Sequence, residues 1–167
     1  MKTTNIVTLL ALFFAFSFSA SAQQSAFSFE KLNISAAELA STAETPHIAA
    51  YVANPFESRN EAWWNSLEDE LSIATQSYRN VSVETMQNLI FFQTNHGSKV
   101  NLESSIPTLL DIYSYHKSEG MRIMAVAALV EIGNANSLET VENQLYKQRI
   151  AKVRDYTIAA LQDYKNN

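Results

Sequence analysis

Laid on itself at an offset of 32 residues, the chain pairs Ser105–Leu129 with Ser137–Leu161 without a gap. Six positions are identical: Ser105/Ser137, Thr108/Thr140, Arg122/Arg154, Ala127/Ala159, Ala128/Ala160 and Leu129/Leu161. Others keep their character, among them Ile106/Leu138, Leu109/Val141, Lys117/Arg149, Met121/Val153 and Val126/Ile158. A period of about 20–50 residues made of two helices is the mark of stacked repeats. One helix pair cannot cover its own apolar face, so each unit must be buried by a neighbour. That requirement leaves little choice of fold.

The rest of the chain reads as helix as well. Trp64, Leu67, Leu71, Ala74 and Tyr78 recur at spacings of 3 and 4, one face of a helix starting after Asn60. Glu68, Asp69 and Glu70 occupy the other face and read as solvated. A second run, Val83 to Phe92, gathers Met86, Leu89 and Ile90 behind Ser82 as its cap, and ends where Gly97 can turn left-handed. Pro107 is tolerated in the first turn of a helix through Leu109, Leu110, Ile112 and Tyr113, because its missing N–H has no partner to lose there. Gly120 marks the break before the next helix and Gly133 follows its last turn. Two further helices are predicted at about Ser137–Gln148 and Ala151–Tyr164. Alternating β-branched runs joined by Asn-Gly turns, the signature of strands, do not occur.

These residues resemble a known family, the short HEAT-like repeats of the phycobilisome-lyase type. Its second helix reads apolar, Arg, two variable, Ala, two variable, Ala-Leu, two variable, Ile-Gly, and Met121, Arg122, Ala125, Ala128, Leu129, Ile132 and Gly133 fill those slots. One repeat later Val153, Arg154, Ala160 and Leu161 match, while Thr157, Tyr164 and Lys165 depart from Ala, Ile and Gly. The acidic residue that usually precedes the apolar-Arg pair is here Gly120 or Lys152. The resemblance implies an all-α fold, a short α-solenoid of two to three antiparallel helix pairs over residues 59–167, with residues 60–98 as a divergent third pair. It also makes Arg122 and Arg154 structural, bonding carbonyls or an acid of a neighbouring helix. The second helices line the concave side in that family. On the first of them Ile123, Ala127 and Val130 occupy slots the pattern leaves variable, on one stripe at i, i+4 and i+7. An apolar stripe not needed for repeat packing is a candidate binding groove.

Ahead of the repeats stands a segment of a different kind. Lys2 is followed by an apolar run from Ile6 to Phe16, too short to cross a bilayer, which needs about 20 such residues. Ala20 and Ala22 then form the A-x-A pattern read by signal peptidase. Residues 1–22 are therefore expected to be a signal peptide cleaved between Ala22 and Gln23, giving a periplasmic or secreted product. Residues 23–58, rich in Ser, Ala and Gln with Pro46 and Pro55, read as a linker or loosely docked arm with one short helix near Ser35–Thr42.

Composition narrows the chemistry. The mature chain would carry 11 basic against 17 acidic residues, a net charge of −6, which argues against nucleic-acid binding. Cysteine is absent, so thiolate catalysis, Cys-bound zinc and thioether chromophore attachment are excluded. His47, His96 and His116 show no ligand spacing, and no cofactor or metal is implied. Neither a G-x-S-x-G elbow nor a glycine-rich phosphate loop is present. Trp63 and Trp64 are adjacent and cannot both face a core from one helix, which places one of them at the edge or under the N-terminal arm. Lys147, Arg149, Lys152 and Arg154 form a basic cluster in an acidic chain, read as a solvated turn. The expectation is an exported non-catalytic module that binds a protein partner in the cell envelope or extracellular space and is not an integral membrane protein. The alternatives are an enzyme or lyase-like enzyme accessory with a pocket between repeats, and an oligomeric envelope component.

Overall fold

A computed structural model describes residues 46–166 apart from residue 56. The expected leader with its cleavage site and the helix expected near Ser35–Thr42 lie outside the described residues. The described residues form seven α-helices and no strand: α1 Pro46–Ala53, α2 Glu61–Ala74, α3 Val83–His96, α4 Ile106–Tyr115, α5 Glu119–Ile132, α6 Ala135–Gln144 and α7 Ala151–Asn166. Among them, no helix is long and apolar enough to cross a membrane.

Capping explains most of the boundaries. The side chains of Asn60, Ser82, Ser118 and Asn134 accept hydrogen bonds from the backbone N–H of Trp63, Thr85, Met121 and Ser137, satisfying donors that a helix start leaves open. Gly133 ends α5 at φ 69°, the left-handed conformation that costs a side chain about 1–2 kcal/mol. Gly97 departs from expectation. Its φ of −58° is right-handed, and a Cβ there would sit 2.6 Å from the Gln93 carbonyl oxygen, so close approach rather than chirality requires glycine. Gly120 also departs, lying inside the first turn of α5 because Ser118 is the cap. Beyond α6, Leu145–Lys147 tighten into a 3-10 turn instead of continuing the helix to Gln148. The end of the expected arm is itself ordered: α1 places Ile48 and Tyr51 in the core.

α5 is the central element, packed on α3, α4 and α7. Met121, Ala125, Val126, Ala127, Ala128 and Leu129 are all buried there, more than one helix face, as a helix covered on several sides requires. Burial recurs at the sequence offset of 32. Ser105 and Ser137, Leu109 and Val141, Met121 and Val153, Ala125 and Thr157, Ala128 and Ala160, and Leu129 and Leu161 are buried in both copies. Hydrogen bonds set the register of the last two units. Asn134 donates to Glu103 near the starts of α4 and α6, and Ser114 donates to Gln144 near their ends, so these helices run side by side in the same sense.

The first pair sits differently. The hydroxyls of Thr75 and Ser105 share a buried 2.8 Å hydrogen bond, and Ser104 donates to Ser72, so the end of α2 meets the start of α4. α3 nevertheless packs on α5 as α5 does on α7. α3, α5 and α7 thus pack in series, with α5 between the other two.

Candidate functional site

The repeat positions Met121, Ala125, Ala128, Leu129, Val153, Ala160 and Leu161 are all buried, so they pack and do not face a ligand. Arg122 donates from Nε to the His116 carbonyl at 2.5 Å and from Nη1 to Gln148 Oε1 at 3.2 Å. Gln148 is buried and its Oε1 also accepts from the Ile150 N–H at 3.3 Å, so Arg122 ties the α4–α5 turn to the α6–α7 turn. Arg154, at the equivalent slot, is exposed and lies 3.7 Å from Asp155 beside it. Of the proposed stripe, Ala127 is buried, and Ile123 and Val130 are half-buried against the core. The stripe is therefore closed at its centre, and only the edges of its two larger side chains reach solvent.

The linked turns form an exposed edge. Tyr115 is 67% exposed and Tyr146 80% exposed, and the Lys147 ammonium lies 5.3 Å from the centre of the Tyr146 ring. Lys117, Lys147, Arg149 and Lys152 are exposed on the same two turns or in the first turn of α7. Besides the Arg122 link, Ser114 Oγ donates to Gln144 Oε1 at 2.6 Å, so the two turns are held side by side. Tyrosine and guanidinium groups combine large contact area with few rotatable bonds per hydrogen bond, which favours them at binding hot spots.

A second cluster assembles where no spacing in the sequence announced one. His47 Nδ1 lies 2.6 Å from Glu70 Oε1, and the Tyr51 hydroxyl lies 2.8 Å from His96 Nε2. Trp64 covers the His96 ring at 4.9 Å, and Trp63 stands edge-on both to Trp64 at 4.9 Å and to His47 at 5.4 Å. Both tryptophans are half-buried. Arg59 closes the group. Its guanidinium lies 4.6 Å from the Trp63 ring centre and 5.1 Å from that of Tyr51, and it donates to the carbonyls of Ala50, Asn54 and Glu57. The Ala50 and Asn54 carbonyls also accept from the N–H groups of Asn54 and Glu57, so Arg59 adds a second donor to each at and beyond the end of α1.

Burial first, and the Arg59 charge second, hold the His96 pKa below its usual value and keep the ring neutral as an acceptor. Burial raises the Tyr51 pKa against the opposing pull of Arg59, so its hydroxyl stays protonated and donates. The cluster is a latch for α1. It also corrects the reading of the acidic triplet as a solvated face: Glu70 pairs with His47, Glu68 accepts from the Asn101 N–H at 2.8 Å, and only Asp69 is exposed. His116 stands apart, its Nδ1 accepting from the Ser118 N–H. Among the described residues no three His, Cys, Asp or Glu side chains are grouped to hold a metal.

Two open clefts flank Glu103. One of about 280 Å³ lies among Gln93, Gly97, Val100, Asn101 and Ile132, and the other, about 320 Å³, between α4 and α6 beside Ile106, Leu110 and Asn136. Glu103 is the sole ionisable side chain lining either. Set against known proteins, the chain matches no family model, and no curated protein or solved structure matches it.

Proposed function

We propose that this chain is an exported, non-catalytic helical-repeat module, a short HEAT-like solenoid, that binds a protein partner through the tyrosine-and-cation edge formed by the α4–α5 and α6–α7 turns. The observation that carries the reading is the pairing of the two most exposed large apolar side chains among the described residues, Tyr146 and Tyr115, with Lys117, Lys147 and Arg149 on adjoining turns of a chain whose net charge is −5. Clustering cations against the overall charge suits an acidic partner surface and accelerates its encounter. Catalysis has less support. Acid–base chemistry asks for a second placed ionisable group, and each cleft offers Glu103 alone. Export rests on the leader of residues 1–22, and the solenoid on the recurrence of burial at the 32-residue offset.

The test is site-specific photo-crosslinking from position 146 in the producing cell, followed by reconstitution with the purified partner. Tyr115→Ala with Tyr146→Ala, and separately Lys147→Glu with Arg149→Glu, should each weaken the reconstituted complex at least about tenfold while leaving the thermal melt unchanged. A partner that binds both variants as tightly as wild type would remove this edge from the account.

A further inference from the structure

Hydrogen bonds at the helix ends set the sense of the central row. Gln93 Nε2 donates to the Glu131 carbonyl at 3.5 Å, joining the end of α3 to the end of α5. The Tyr164 hydroxyl donates to the Gly133 carbonyl at 3.1 Å, joining the end of α7 to the end of α5. Because α3 and α7 also pack on α5, the three helices run in the same sense and start at a common end. The turns that lead into them, before Val83, Glu119 and Ala151, therefore lie at that end.

Each of these turns carries a tyrosine with a cation beside it. Tyr146 has the Lys147 ammonium 5.3 Å from its ring centre, and Arg149 follows. Tyr115 is followed by Lys117. In the turn before α3, the Arg79 guanidinium lies 5.6 Å from the Tyr78 ring centre, and Arg79 Nε donates to the Tyr78 hydroxyl at 3.2 Å. Arg79 is exposed, Tyr78 is half-buried, and Val83 at the start of α3 is 42% exposed. Residues 76–86, 116–122 and 145–154, the turns with the first helical turns after them, hold seven of the chain's twelve Lys and Arg residues. Their carboxylates are Glu84 and Glu119. Arg122 is spent on the His116 carbonyl and Gln148, and the remaining cations still outnumber those two acids.

Three helices in series set these cations in a line, with about 8–10 Å from one packed helix to the next. A line of cations suits a chain better than a flat anionic surface. A polyproline II segment brings every third side chain back to one face after about 9 Å, whereas a β-strand does so after about 7 Å. We infer that the partner presents an extended acidic segment, laid across all three turns from Arg79 past Lys117 to Lys147 and Arg149, with a carboxylate at every third residue. This rests on the tyrosine-and-cation edge proposed above, and adds to it the turn before α3 and the chemistry of what binds.

Fluorescence anisotropy on the purified chain tests it with a labelled peptide of three Glu-Pro-Ala units. The control peptide has the same composition with its glutamates adjacent, and vesicles containing phosphatidylglycerol serve as a third probe. The spaced peptide should bind at least about threefold more tightly than the control and weaken as salt is added. Arg79→Glu and Lys117→Glu should each weaken it at least about threefold. Both positions are exposed, so melting curves should coincide with wild type. A spaced peptide that does not bind, a control that binds as tightly, or an Arg79→Glu chain that binds like wild type would each overturn the inference. Vesicles that bind in an Arg79-dependent way while the peptide does not would overturn it too, and would assign this end to a lipid surface. Reconstitution with the crosslinked partner separates the two readings. If Arg79→Glu binds that partner as wild type does while Lys147→Glu with Arg149→Glu binds it weakly, the two-turn edge stands and its extension falls. If neither weakens it, both fall.

Discussion

Replacing Tyr51 by Phe removes one oxygen from the latch and leaves its shape. The ring keeps its edge-on contacts with Phe91 at 5.7 Å and Phe92 at 5.1 Å, so no cavity opens. What is lost is the 2.8 Å hydrogen bond to His96 Nε2. A neutral hydrogen bond contributes about 0.5–1.5 kcal/mol net, and an acceptor left unpaired in the interior costs about 1–3 kcal/mol. His96 is half-buried, so water relieves part of that penalty, and the sum comes to about 1–2 kcal/mol. For a domain of this size the melting temperature should fall by about 4–8 °C in a calorimetric scan.

The same site gives the pH dependence its sign. The folded pKa of His96 lies below the ordinary 6.5, so below that pH the unfolded chain binds more protons than the folded one. This contribution to stability is complete above pH 6.5 and is lost as the pH falls through the folded pKa. His96→Gln should flatten that part of the profile. If Tyr51→Phe melts with wild type, and the profiles of wild type and His96→Gln coincide below pH 6.5, then α1 is not held in the way described.

Ala128→Leu and Ala160→Leu each add three carbons where the alanine is fully buried, and each should cost about 1–3 kcal/mol in a denaturant melt; unchanged midpoints would show that the repeat register is wrong. Ile123→Asp with Val130→Asp places two carboxylates against the core and should lower stability by more than about 2 kcal/mol, whereas an intact melt with partner binding lost would restore the stripe as a binding surface. Intact-mass measurement on native protein should find a chain beginning at Gln23, and retention of residues 1–22 would refute export.

Much of the architecture was legible because helices announce themselves locally. The apolar spacing of Leu67 and Leu71, the cap at Ser82, Pro107 near the start of α4 and Gly133 after α5 are all short-range features, and the structure places each where the pattern did. The 32-residue recurrence likewise identified the buried alanines, since a position that must stay small in two copies reports close packing of helices. α1 was missed because eight residues with two prolines nearby carry too little periodicity to distinguish a helix from a linker. Gly97 was misread for a related reason: a glycine after a helix signals an ending, but its φ is decided by how near Gln93 comes.

The latch and the tyrosine edge belong to a different order of information. His47 and Glu70 are 23 residues apart and Tyr51 and His96 are 45 apart, and no motif links them. They meet because α1 turns back over α2 and α3, burying Ile48 and Tyr51. The meeting of the end of α2 with the start of α4 was equally invisible, marked by the buried hydroxyl pair of Thr75 with Ser105. By itself the sequence determined most of the helices, the cap at Ser82 and the apolar faces that oblige them to pack, because those depend on neighbours within a few turns. Only the tertiary structure decided which polar groups face one another. Such contacts join residues far apart in the chain, and their energies appear only after apolar burial has brought the helices together.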